Sequence, residues 1–239
     1  MGTDDIFKKR RKEREKRKYG YKQPKANSFL IVTEGKCTEP FYFKGIQKLI
    51  CEKIGGRVDV VEVPVIDIFG EGCSTGTLID RTDEIVNKAN ILYQNIWIVF
   101  DKDDFKDFDF AVNLGKARGY KVAWSNQSFE YWLYLHFSYS ESALHREQWN
   151  EKLNAMFEKY QLGNGKYQKN YKDIYCLLDN FGGVETAIKH AKRRMKDFDE
   201  EKYKPSEYDP GTTVYQLVED LRKYLKTTDA VITGHSYSK

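Results

Sequence analysis

Phe29-Leu30-Ile31-Val32-Thr33-Glu34-Gly35 and Ile96-Trp97-Ile98-Val99-Phe100-Asp101-Lys102-Asp103 are two short apolar runs, each closing on a polar, acid-bearing turn. Runs this short and this uniformly apolar read as strands buried on both faces. Outward from the first, Phe43, Ile46, Gln47, Leu49 and Ile50 recur at helical spacing over 39–54. Val58 to Phe69 is rich in β-branched residues and reads as a strand interrupted near Pro64. The glycine-rich loop 70–76 then opens a helix, capped by Ser74 or Thr75, that runs to about Leu92. Beyond the second run come a helix near 108–118, a strand at Lys121-Val122-Ala123-Trp124, and the loop Ser125-Asn126-Gln127-Ser128. That loop opens a helix at Phe129-Glu130-Tyr131-Trp132-Leu133. Alternating helices and buried strands predict an α/β fold: a mostly parallel sheet with helices on both faces.

After about residue 140 the pattern turns helical, with helices expected near 146–160, 170–179, 183–196 and 213–226. Gly163-Asn164-Gly165 and Pro205 to Gly211 read as surface loops or hinges. The expected organisation is a basic leader at 1–25, a core at 26–140, and a helical extension at 141–239 packed on the core.

Charge is unevenly placed. The net charge is +4, yet residues 1–25 hold 11 Lys and Arg against four Asp and Glu, which leaves the remainder at −3. Lys8, Lys9, Arg10, Arg11 and Lys12 form a run suited to a phosphate backbone, and equally to a solvated leader. Aromatics reach 15%, which permits base stacking, although most rings are expected in the core. No run approaches the roughly 18 apolar residues of a membrane span, and the charged N-terminus lacks the apolar stretch of a signal peptide. The four cysteines are too widely spaced for a zinc site and read as free thiols of a reducing compartment. The expected location is therefore cytoplasmic.

In an open α/β sheet, ligands gather at the carboxyl ends of strands. Three strands here end in polar turns, giving Glu34, then Asp101 and Asp103, then Asn126, Ser128 and Glu130. If those strands are neighbours, four carboxylates converge. Such acids repel one another unless a cation sits among them, and an all-oxygen donor set suits Mg²⁺ or Mn²⁺. Read singly, each acid is as readily a turn former, and Asp103 or Asp104 as readily a cap of the next helix. His136, on an apolar helix, reads first as a satisfied core histidine. The loop 70–76 is not followed by Gly-Lys-Ser/Thr, so it is not a Walker A phosphate loop.

Three blocks together resemble a known family. Ile31 to Phe43 (IVTEGKCTEPFYF), Val99 to Asp103 (VFDKD) and Ser125 to Phe137 (SNQSFEYWLYLHF) are similar to the RloB-like family, which accompanies bacterial restriction and abortive-infection loci. Pro210 to Val218 fits its C-terminal signature, so the resemblance spans roughly 26–225. It implies a Toprim-like core, with Glu34, Asp101 and Asp103 as the acidic triad. By similarity to OLD-type nucleases it also implies that Glu39, Ser128 and Glu130 complete the metal set. Glu39 lies five positions after Glu34, where the OLD pattern has four. The expected function is Mg²⁺- or Mn²⁺-dependent hydrolysis of DNA or RNA phosphodiesters in antiphage defence. Glu34, Asp101, Asp103 and Glu130 would be catalytic, and Lys169 would join the leader in contacting nucleic acid. An ABC- or AAA-type ATPase is the implied partner, and an oligomer is left open. Two alternatives stand beside this: a non-catalytic nucleic-acid-binding or ATPase-partner subunit, and a primase-like nucleotidyl transferase.

Overall fold

The computed structural model describes residues 22–54, 65–72, 74–104 and 106–233. The expected leader contacts Lys8, Lys9, Arg10, Arg11 and Lys12, the first half of the 58–69 strand, and Cys73 lie outside these residues.

Four strands run parallel: β1 (Gln23–Thr33), β2 (Val65–Gly70), β3 (Ile91–Asp101) and β4 (Lys121–Asn126). A two-residue β5 (Gly211–Thr212) adds antiparallel to β4, and the sheet order is β2-β1-β3-β4-β5. Eight α-helices complete the described chain. They are α1 (Thr38–Ile54), α2 (Thr75–Lys88), α3 (Phe108–Ala117), α4 (Phe129–Tyr134), α5 (Arg146–Lys159), α6 (Ile174–Asn180), α7 (Gly183–Arg194) and α8 (Val214–Thr233).

Strand alternation builds two cores. Phe29 and Ile31 of β1, Trp97 and Val99 of β3, and Ala123 of β4 face one way. Leu30, Val32, Ile98, Phe100, Val122 and Trp124 face the other. The first face carries α1 and α4 together with the extension, whose Trp149, Leu153, Phe157, Tyr175 and Leu221 join the same buried cluster. The second face carries α2 and α3 through Leu78, Ile79, Phe108 and Val112. Each large side chain so buried contributes about 1.5–3 kcal/mol. The result is an α/β sheet with helices on both faces and a helical extension, consistent with a Toprim-like core.

The structure corrects two boundaries. Helix α2 stops at Lys88, because Ile91, Leu92 and Tyr93 pair with Gln23, Pro24 and Lys25 as the start of β3. The segment read as a hinge ends in β5, where Gly211 pairs with Asn126 and Thr212 is fully buried. β1 begins at Gln23, so removing residues 1–21 keeps every strand of the described sheet in the chain. That deletion is expected to leave the fold intact and to flatten the salt dependence of nucleic-acid affinity by roughly 0.7–0.9 per lost phosphate contact. An unchanged log–log slope would show that the leader contacts no phosphate.

Topology fixes where a site can form. The β1–β2 crossover through α1 lies on one face, and the β2–β3 crossover through α2 on the other. A crevice therefore opens at the carboxyl ends of β1 and β3, the switch point of the sheet.

Candidate active site

At that crevice lies a cleft of about 420 Å³, lined by Glu34, Glu39, Asp101, Asp103, Glu130 and Lys169 among others. β1, β3 and β4 are consecutive neighbours, so the acids expected from three strand ends do meet.

Glu34 leaves β1 with its N–H on Val99 O at 2.9 Å. Its carboxylate accepts the Asp101 N–H at 3.3 Å and the Thr75 hydroxyl at 3.2 Å. Burial pushes its pKa up to about 7. Asp101 ends β3 and accepts the Phe129 N–H at 2.9 Å. Burial first, then the charges of Glu39 and Glu130, hold its pKa well above the usual carboxylate range.

Asp103 does not sit in an extended turn. Its φ of 40° is left-handed, with its N–H on Gln127 O at 3.0 Å, so the loop folds back over the end of β4. Its carboxylate meets Arg146 Nη1 at 3.0 Å. Nor does it cap a helix, since Asp107 precedes α3. Burial raises its pKa, against the pull of Arg146.

Glu130, in the first turn of α4, is 4% exposed. Its Oε1 accepts the Tyr167 hydroxyl at 3.3 Å and lies 3.2 Å from Lys169 Nζ. Glu39, in the first turn of α1, folds its carboxylate back against Gly35. A Cβ at Gly35 would lie 2.3 Å from Glu39 Oε2, so this close approach requires glycine. Burial, followed by repulsion from Glu130, raises the Glu39 pKa to about 7. Ser128 precedes α4, and its buried hydroxyl has no hydrogen-bond partner among the described residues.

His136 is a satisfied core residue. Its Nδ1–H donates to Trp132 O, and its Nε2 accepts the Tyr42 hydroxyl, both at 3.0 Å. Burial depresses its pKa to about 3 and keeps it neutral.

Three participants escape the sequence. Thr75 reads there as a cap, yet its hydroxyl goes to Glu34. Arg146 and Tyr167 come from the extension, 43 and 37 residues away in sequence from the acids they meet. Lys169, expected on nucleic acid, lies in the cleft as the ion partner of Glu130.

The donors are carboxylates, a threonine hydroxyl and an unpartnered serine hydroxyl, which is the chemistry of a hard divalent cation. As the side chains stand, no three His, Cys, Asp or Glu among the described residues surround one point. Asp103 and Glu130 are instead engaged by Arg146 and Lys169. The donor types suit Mg²⁺ or Mn²⁺, while the side chains as they stand form no shell for one among the described residues.

Cys37, Cys51 and Cys176 are free thiols. No helix among the described residues is long and apolar enough to cross a membrane. Residues 29–221 match the family model described as RloB-like protein. No curated protein and no solved structure matches the chain.

Proposed function

The chain belongs to the RloB-like family, and on that premise we propose that it is a metal-dependent nuclease subunit hydrolysing phosphodiesters in the cleft at the ends of β1, β3 and β4. One observation carries this reading. Five carboxylates line a single cleft, and none of the ion pairs among the described residues includes Glu34, Glu39 or Asp101. An acidic hollow of that kind repels a phosphate unless a cation intervenes.

A bound Mg²⁺ or Mn²⁺ would supply charge neutralisation at a phosphoryl oxygen and an acidified water. Asp101, Asp103 and Glu34 are the residues that would hold it, with Glu39 and Glu130 lining the same cleft and Ser128 just before α4. Glu34 would share the cation or act in proton transfer. Lys169, on the cleft lining, and Arg146, paired to Asp103 at its edge, would meet the phosphate, and Phe129 also lines the cleft.

The ATPase partner and the setting in antiphage defence rest on the family resemblance. Incubation of the purified chain with Mg²⁺ and either tRNA or duplex DNA, with and without nucleoside triphosphates, tests the reading. Cleavage that EDTA abolishes supports it. Nucleotide incorporation would point to a primase-like transferase. Tight binding without cleavage, with and without a co-expressed ATPase, would point to a binding subunit.

A further inference from the structure

Arg146 and Lys169 both come from the helical extension, and both neutralise acids of the core. We propose that they are exchangeable counter-ions: a phosphate entering the cleft draws them off Asp103 and Glu130, and a divalent cation takes their place. The proposal rests on the reading of the cleft as a cation-and-phosphate site.

Solvent exposure is on the side of the cations. The Lys169 side chain is 60% exposed while that of its partner Glu130 is 5% exposed. Arg146 is 45% exposed against 24% for Asp103. The Lys169 backbone is nevertheless fixed, because its carbonyl accepts the Thr38 hydroxyl at 2.9 Å, one residue before Glu39. The ammonium thus swings from a pinned base that belongs to the rim of the site. Arg146 likewise projects from the first residue of α5.

A carboxylate as buried as Glu130 cannot stand charged and unpaired at low cost. Its lysine leaves only when another positive charge arrives. A phosphate, conversely, gains both basic groups only when the acids have found a substitute. Each ligand therefore prepares the site for the other, and by linkage the coupling is reciprocal.

Calorimetric titration of Mn²⁺ tests this on wild type, Arg146→Gln and Lys169→Met, each with and without an uncleavable phosphorothioate oligonucleotide. In wild type the oligonucleotide should tighten Mn²⁺ binding by roughly tenfold, within the ~5–150-fold usual for coupled sites. Both variants should bind Mn²⁺ more tightly than wild type without oligonucleotide and gain less from adding it. Arg146→Gln keeps the test open if Lys169→Met fails to fold, because Asp103 is the less buried acid. Wild-type Mn²⁺ binding that neither variant strengthens overturns the exchange and leaves the cation site standing. Absence of Mn²⁺ binding in all three proteins overturns the cation site and the exchange together.

Discussion

Replacing Asp101 by asparagine should cut phosphodiester hydrolysis by about a thousandfold or more, while the cation-free protein melts at the wild-type temperature or above it. The two halves of this result have separate causes. Activity falls because a neutral amide is a poor ligand for a hard cation. Stability holds because asparagine keeps an oxygen for the Phe129 N–H and removes a charge from a half-buried position crowded by Glu39 and Glu130. Asp101→Ala removes the acceptor as well, at a cost of about 1 kcal/mol, which offsets part of the relief. A turn residue with no role in chemistry would behave in the opposite way, with lower stability and intact cleavage. Rate and melting temperature measured on the same preparation of Asp101→Asn separate the two. An asparagine variant that cuts at the wild-type rate would sink the assignment.

The stability of the cation-free protein should rise as pH is lowered from 8 toward 6.5. Glu34 and Glu39 have folded pKa values of about 7 against 4.5 for a free carboxyl. The folded state thus binds more protons than the unfolded chain between those values. Their contribution is fully present below about 4.5 and is lost as pH rises through about 7. A carboxyl moved that far carries on the order of 3 kcal/mol, less for Glu34 where solvent reaches the cleft. His136 acts in the opposite sense. Its folded pKa of about 3 lies below 6.5, so its contribution is present above 6.5 and is lost as pH falls toward 3. Urea midpoints should therefore climb from pH 8 to 6.5 and decline under acid. Glu34→Gln combined with Glu39→Gln should flatten the upper limb and raise the midpoint at pH 8. Millimolar Mn²⁺ should also raise it there, by occupying the carboxylates. A wild-type midpoint that is flat or falling between pH 8 and 6.5 would contradict the raised carboxyl pKa values.

The sheet was legible because its central strands are buried on both faces and so carry short, uninterrupted apolar runs. Its margins were not. Pro24, Lys25 and Ala26 of β1 are exposed and carry no apolar run, and the start of β1 is strand because Gln23, Pro24 and Lys25 pair with Ile91, Leu92 and Tyr93. Read alone, the same Ile91-Leu92-Tyr93 continues the apolar stripe of α2, an ambiguity periodicity cannot resolve over three residues. Gly211-Thr212 has no strand signal of its own and exists as β5 because β4 offers an edge there. The acids were legible for a different reason: a polar turn after a buried strand places its side chains at the sheet end whatever the connections do. Their partners were not. Arg146 lies 43 residues from Asp103, and Tyr167 lies 37 from Glu130, so only packing of the extension brings them in. The left-handed Asp103 was also hidden, since its conformation follows from its bond to Gln127 across the loop.

The most direct measurement is crystallographic. Crystals grown with Mn²⁺ and the uncleavable oligonucleotide, with data collected at the manganese edge, should give an anomalous peak in the cleft between Glu34 and Asp101. Asp103 should have turned from Arg146 toward that peak. Nucleic acid seated on the protein with the cleft free of anomalous density, and Arg146 and Lys169 still paired with Asp103 and Glu130, would contradict a cation-dependent active site.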